Sequence, residues 1–262
     1  MRGSGTATTV EIDYPSSDGK PMAETDLHRD WMVTTIERLQ RFFAGRRVYV
    51  SGNLLIYYQE GDPTKSVAPD TFVVKNCRPG RREIFQIWKE RRKPNFVLET
   101  TSKTTRREDR GKKRLIYAQL GVAEYFLYDP RGDWLKPPLQ GFRLRDGVYE
   151  SIPEDDAGGI ISQELGVRLV LEDGDLAMFD VATGERLQSQ REWAEEQSRR
   201  VEQAENRAQE AHNLAQQAEN RAQQAERRLN EEATARKALE EELSRLRESA
   251  RKPNGHRRKN GK

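Results

Sequence analysis

No glycine or proline occurs between Gly184 and Pro253. Over most of that span Val201, Ala204, Ala208, Ala211, Ala215, Ala218, Ala222, Ala225 and Leu229 follow one another at alternating spacings of three and four. That period places them along a single seam of a long helix, the pattern of a coiled coil. Ala-Glu-Asn-Arg-Ala-Gln occurs at Ala204 and again two heptads later at Ala218. Glu232 and Arg236 interrupt the seam, and Leu239, Leu243 and Leu246 resume it. A helix of about 60 residues reaches about 90 Å at 1.5 Å per residue. Alanine buries little area, so the seam is weaker per heptad than a leucine one. It predicts a homodimer or a partner helix. Pairs such as Glu205 with Gln209 and Glu241 with Arg245 also suit a lone, charge-stabilised helix.

The chain therefore divides into four expected parts. Residues 1–22, rich in Gly, Ser, Thr and Pro, read as a flexible arm, 23–187 as a globular domain, 189–250 as the coiled-coil helix and 251–262 as a basic disordered tail. Hydrophobic and charged residues each make up 34% of the sequence, too polar for one globule throughout. Cys77 is the only cysteine, which excludes an intrachain disulfide and a cysteine zinc site. His28, His212 and His256 are scattered. No apolar run follows Met1, and none approaches the roughly 20 residues that span a bilayer. These features predict a cytoplasmic protein with no membrane segment.

Within the globular part, Met32, Ile36, Leu39 and Phe43 recur at helical spacing, predicting a helix from a cap at Asp26 to about Phe43. Strands are expected at Val48–Val50, Leu54–Tyr58, Thr71–Val74 and Asn95–Thr100. A helix from about Arg106 to Leu120, closed by Gly121, precedes a short buried strand at Glu124–Tyr128. The order strand, helix, strand argues for a mixed α/β core. Farther on, Glu172-Asp173-Gly174-Asp175 between two apolar runs signals a hairpin. Trp31, Trp88, Trp134 and Trp193 are dispersed and read as packing residues.

Two carboxylates stand out. Asp70 opens one apolar strand, and Glu99 follows Phe96-Val97-Leu98 in another. A carboxylate at the edge of an apolar strand costs desolvation energy unless it is paired or binds a cation. Two on adjacent strands would make a hard-oxygen site suited to Mg²⁺, with Mn²⁺ an alternative. A nearby lysine would stabilise charge developing on a phosphate. Acidic residues at strand ends also serve in turns and surface ion pairs, so the wider context matters. Residues 75–114 carry fifteen Lys/Arg against five Asp/Glu, a net +10, whereas residues 115–180 carry five against thirteen, a net −8. The positive block surrounds Glu99 and suits a polyanion such as DNA.

That context is an ordered set of motifs: Val67-Ala68-Pro69-Asp70-Thr71-Phe72-Val73-Val74, then Phe96-Val97-Leu98-Glu99-Thr100-Thr101-Ser102-Lys103, then Lys113, Tyr117-Ala118, Leu120-Gly121-Val122 and Glu124–Pro130. Over roughly Asp26 to Leu187 the chain resembles the Uma-two family of restriction endonucleases, within the PD-(D/E)XK nuclease superfamily. The resemblance implies an α/β fold, a restriction-endonuclease-like mixed sheet flanked by helices, here followed by the long coiled-coil helix. It also implies a divalent-metal phosphodiesterase acting on DNA. Asp70 and Glu99 match the family's metal ligands. The superfamily's lysine normally lies two residues after the acidic residue, where this chain has Thr101. The family pattern instead has a lysine on the following helix, matched by Lys113, and Lys103 is a second candidate. Ser102 or Thr104 is expected to cap that helix. Ser102, Thr105, Arg106 and Asp109 fall in the matched stretch as supporting residues, and Asp109 is placed to hold a lysine or arginine. Glu37 on the first helix is a further residue that could face the site. Thr101 in the lysine position keeps open an alternative, a catalytically inactive nuclease-like protein that binds nucleic acid or serves as a scaffold.

Overall fold

A computed structural model of the chain describes residues 12–17 and 25–250. Most of the expected N-terminal arm, and the whole basic tail, lie outside the described residues. Within the arm, Tyr14 stands edge-on to Tyr57, with ring centroids 5.0 Å apart, and the Tyr57 hydroxyl donates to the Pro15 carbonyl at 2.6 Å.

Helix α1 (Asp26–Phe42) is capped by Thr25, not by Asp26. The Thr25 side chain accepts from the His28 backbone N–H, and Asp26 sits in the first turn. The elements that follow are β1 (Val48–Ser51), β2 (Ile56–Tyr57), β3 (Ser66–Val67), β4 (Thr71–Lys75), β5 (Phe85–Gln86), the single turn α2 (Ile87–Glu90) and β6 (Phe96–Thr100). The expected helix over 106–120 is present but not uniform. A short α-turn, α3 (Arg106–Glu108), passes into a π-helical segment (Asp109–Lys113) and then α4 (Arg114–Leu120). Gly121, at φ 67°, ends α4 in the left-handed conformation that glycine adopts without strain. Six strands complete the domain: β7 (Glu124–Tyr128), β8 (Leu139–Arg145), β9 (Val148–Ser151), β10 (Ile160–Ser162), β11 (Val167–Glu172) and β12 (Asp175–Asp180). Asp173 and Gly174, both at positive φ, make the two-residue turn between β11 and β12.

The central sheet has the order β1-β4-β6-β7-β8-β9. All its neighbours are antiparallel except β6 and β7. Parallel neighbours need a crossover, and the α3–π–α4 segment supplies it. Both faces of the sheet are covered. On one, Phe96, Leu98, Phe126 and Tyr128 pack with Leu39 and Phe43 of α1 and with Leu169, Leu176 and Met178 of the β10-β11-β12 sheet. On the other, Phe72, Val97, Tyr125 and Leu127 pack with Tyr117 of α4 and with Ile56 and Phe85 of the small β3-β2-β5 sheet. Side chains alternate between faces along a strand. Glu99, two residues after Val97, is therefore carried to the α4 side.

Helix α5 (Gln190–Ala250) is 61 residues long. The compact unit that contains the sheet extends to Ala194 and so takes in the first residues of α5. Arg38 of α1, 3% exposed, forms two hydrogen bonds to the Glu192 carboxylate, at 2.6 and 3.1 Å, and one to the Leu176 carbonyl at 2.6 Å. The Arg41 guanidinium lies 4.5 Å from the centroid of the Trp193 ring. Beyond residue 194, α5 presents Val201, Leu229, Leu239 and Leu243 of the heptad seam exposed. Among the described residues no helix is long and apolar enough to cross a membrane.

Candidate active site

Asp70, Glu99 and Lys113 come together at the end of β6 nearest the crossover. Glu99 is fully buried. Its Oε1 accepts from the Tyr117 hydroxyl at 2.6 Å. Its Oε2 accepts from the Lys113 ammonium at 2.9 Å and from the Asp70 backbone N–H at 3.2 Å. The Asp70 side chain accepts from the Thr100 backbone N–H at 2.8 Å, and His28 Nε2 of α1 lies 3.3 Å from the same oxygen. Asp109, also fully buried, stands 3.2 Å from Lys113, and neither of its oxygens makes a hydrogen bond of good geometry.

Local structure explains each placement. The π-helical turn holds Asp109 and Lys113, four residues apart, toward the sheet. Tyr117, four residues further on, continues the same face into α4. Thr101 is buried beside the site, and its backbone N–H donates to the Tyr128 carbonyl at 2.6 Å. The ammonium that a strand lysine would carry there arrives instead from Lys113 on the crossover. Lys103 is exposed in the turn before α3, without an ion pair among the described residues, so it is not part of the cluster. Ser102 and Thr105 bond reciprocally, backbone N–H to side-chain oxygen, at 3.1 and 3.3 Å in the turn before α3; the N-cap position is Thr105, not Ser102 or Thr104, and no side chain caps the helix there. Helix α1 reaches the site through His28. Glu37, farther along, makes no ion pair among the described residues.

Gly52 is a structural requirement of the same site. A Cβ there would lie 1.9 Å from the Asp70 carbonyl oxygen and 2.6 Å from Ile36 Cδ1. The Asn53 N–H donates to the Pro69 carbonyl at 2.8 Å, so the loop after β1 crosses against the backbone that presents Asp70. His28 and Gly52 are thus members of the site that sequence reasoning did not single out, and Tyr117, part of the matched motifs, was given no role there. Tyr117 was within reach, being one helical repeat from Lys113. His28 and Gly52 arrive only through packing between distant segments.

Three carboxylates share one ammonium. Burial pushes the Glu99 carboxyl well above the usual range, and Asp70 and Asp109 add to this, with Lys113 and Tyr117 opposing it only in part. Asp109 is raised for the same first reason. Burial also works to raise Asp70, but the His28 hydrogen bond and the Lys113 charge outweigh it and leave it lowered. Burial disfavours the Lys113 ammonium, yet the three carboxylates more than compensate and hold it charged. Three buried carboxyl groups against one ammonium give a set of hard oxygen donors that fits a divalent cation. Among the described residues no group of three or more His, Cys, Asp or Glu side chains is arranged as a complete metal site. Asp70 and Glu99 would therefore supply only part of a coordination shell. That is the usual situation for Mg²⁺, which keeps several waters and takes substrate phosphate oxygens.

A mixed sheet with its carboxylates and lysine gathered at a parallel crossover defines a restriction-endonuclease-like domain. The profile of the Uma2 family, described as "Putative restriction endonuclease", matches residues 9–178, and the chain belongs to that family. The match ends before α5. Among solved structures, the crystal structure described as "a putative nuclease belonging to DUF820" from Anabaena variabilis ATCC 29413 is similar at 20% identity. It covers 57% of this chain and 81% of that one, with a TM-score of 0.42. No curated protein matches the chain.

Proposed function

We propose that the chain is a divalent-metal-dependent endonuclease that hydrolyses phosphodiester bonds in DNA. The observation that carries this reading is the buried cluster at the end of the central sheet in which Glu99 and Asp109 meet Lys113 and Asp70 joins through its backbone N–H to Glu99. Asp70 and Glu99 would hold the ion, Mg²⁺ or Mn²⁺. When bound, it would polarise a phosphoryl oxygen and lower the pKa of a water. Tyr117 and the Asp70 N–H orient the Glu99 carboxylate, and His28 and the Thr100 N–H orient that of Asp70. Lys113, held between Glu99 and Asp109 and 12% exposed at its side chain, can meet the charge that develops on the phosphate. In hydrolysis a water oxygen bonds to phosphorus and gives up a proton, while the bond to the leaving sugar oxygen breaks and that oxygen is protonated. The heptad seam of α5 supports self-association through a second copy, which would bring two such sites to one duplex.

A second reading, nucleic-acid binding without cleavage, draws on one feature: both Glu99 oxygens already have partners in Tyr117 and Lys113. Plasmid nicking by the full chain with Mg²⁺ or Mn²⁺ separates the two. The nuclease reading requires metal-dependent nicking that is lost in Asp70→Ala, Glu99→Ala and Lys113→Ala. Salt-sensitive DNA binding with no nicking under any metal would establish the binder instead.

A further inference from the structure

The segment from Arg106 to Lys113 has two faces. Its inward face carries Asp109 and Lys113 to Glu99. Its outward face carries Arg106, Arg107 and Arg110, which together with Gly111 and Trp134 line an open cleft. None of these three guanidinium groups has a carboxylate partner among the described residues. Several other arginines of the domain do have carboxylate partners: Arg82 with Glu90, Arg143 with Glu124 and Arg168 with Asp155.

The cleft is built on fixed supports. The Arg106 guanidinium lies 4.4 Å from the centroid of the Trp134 ring, a distance at which the ring attracts the cation. Trp134 belongs to neither hydrophobic core cluster, unlike Trp31, which packs edge-on against Tyr128. Its loop is pinned by the buried Asp129, whose carboxylate accepts from the backbone N–H groups of Arg131, Trp134 and Leu135.

Gly111 is an independent observation. It lies inside a helical segment and is not among the glycines with positive φ, so its backbone conformation does not demand glycine. A Cβ at this position would meet nothing within 4 Å. Glycine in a helix interior costs about 0.5–1 kcal/mol relative to alanine. Nothing within the fold uses the space, so the backbone at Gly111 is open to close approach by a partner outside the chain. Three guanidinium groups around that point, none with a carboxylate partner among the described residues, suit an anion that can meet several cations at once.

We propose that the Arg106, Arg107, Arg110 and Gly111 cleft holds the phosphodiester backbone of the polynucleotide strand beside the phosphate that is cut, with Gly111 at the point of closest approach. The proposal rests on the nuclease reading for its substrate class. It adds where that substrate lies, since Arg110 and Gly111 sit between Asp109 and Lys113 in one turn.

The test is fluorescence anisotropy of the full-length protein with labelled duplex DNA, single-stranded DNA and single-stranded RNA of one sequence, in chelator and across a salt series. The arms identify which phosphodiester polymer the cleft takes. Arg107→Ala/Arg110→Ala is expected to weaken binding at least about tenfold. It should also flatten the plot of log K against log salt by about two, because each lost phosphate contact removes about one. Gly111→Ala is expected to raise Tm while weakening binding, and Gly111→Leu to weaken it further with the fold intact. Unchanged affinity and salt slope in the double variant and in Gly111→Leu would overturn the proposal, and if plasmid nicking persisted the nuclease reading would stand. Binding that responds as expected, in a protein that never nicks, would sink the nuclease reading and keep the cleft. Failure of the wild type to bind all three polymers, or equal binding of a poly-glutamate peptide, would overturn the cleft proposal directly.

Discussion

Replacing Glu99 by glutamine keeps the shape of the side chain and removes its charge. The amide can be satisfied in place. Its oxygen can face Lys113 and the Asp70 N–H, and its NH₂ can donate to the Tyr117 hydroxyl, which then acts as acceptor. Burial, Asp70 and Asp109 raise the Glu99 carboxyl, so folding with it ionised carries a cost that the neutral amide avoids. At pH 7 the cost of folding with it cannot exceed that of taking up a proton from an ordinary pKa of 4.5. With 1.36 kcal/mol per pH unit, that ceiling is about 3 kcal/mol. Losing the Lys113 attraction offsets part of the gain, and about 1–2 kcal/mol of net stabilisation is the expected result. For a unit of this size, about 2–4 °C follows for each kcal/mol, so Tm should rise by about 2–8 °C. The pH dependence supplies the sign. A group whose folded pKa is raised stabilises fully below its unfolded value and loses that contribution as pH climbs through the folded value. The difference in Tm between Glu99→Gln and wild type should therefore be small near pH 4 and grow toward pH 7. Thermal unfolding followed by circular dichroism across that range measures it. A Glu99→Gln protein less stable than wild type at pH 7 would refute the reasoning, because it would mean that the ionised carboxylate holds the site together.

Glu124→Ala should behave in the opposite way. This equally buried carboxylate accepts from Arg143, the Ser162 hydroxyl and the backbone N–H groups of Gln163 and Glu164. Orphaning those donors should cost about 3–5 kcal/mol, read as a drop in Tm. Glu192, its side chain 35% exposed, is lowered to about 2, with burial opposing and Arg38 as the main favourable cause. Its pair stabilises above pH 4.5 and is lost as pH falls toward 2. After allowance for solvent screening, Glu192→Gln should cost about 1–2 kcal/mol at pH 7 and less near pH 3, measured by urea unfolding. Truncation after Leu187 removes Glu192 and should lower Tm, whereas truncation after Ala194 should not. Gly52→Ala should abolish metal-dependent nicking, because its Cβ would displace the Asp70 backbone, with circular dichroism reporting whether the fold survives. Leu239→Asp/Leu243→Asp should convert an associating chain to monomer in sedimentation velocity, if the seam pairs two copies.

The long helix was legible in the sequence because heptad spacing and the absence of Gly and Pro are local properties, and so is the end of α4 at Gly121. The strand that Asp70 immediately precedes and the one that carries Glu99 were legible for the same reason: apolar runs of strand length are read within a few residues. The restriction-endonuclease-like mixed sheet followed by a helix could be expected from the order of these elements and from family resemblance. Only the tertiary structure shows that Lys113 turns inward to Glu99 and Asp109 while Lys103 stays exposed, since spacing along the chain does not say which ammonium turns inward. A π-helical turn does that, and periodicity at 3.6 residues does not reveal it. Contacts across long sequence separations likewise had no local signature: His28 beside Asp70, Gly52 against the Asp70 carbonyl, and Glu192 closing on the buried Arg38. That last contact carries the compact unit to Ala194, beyond the change of composition near Ser189, because a buried guanidinium requires a carboxylate wherever the chain can supply one.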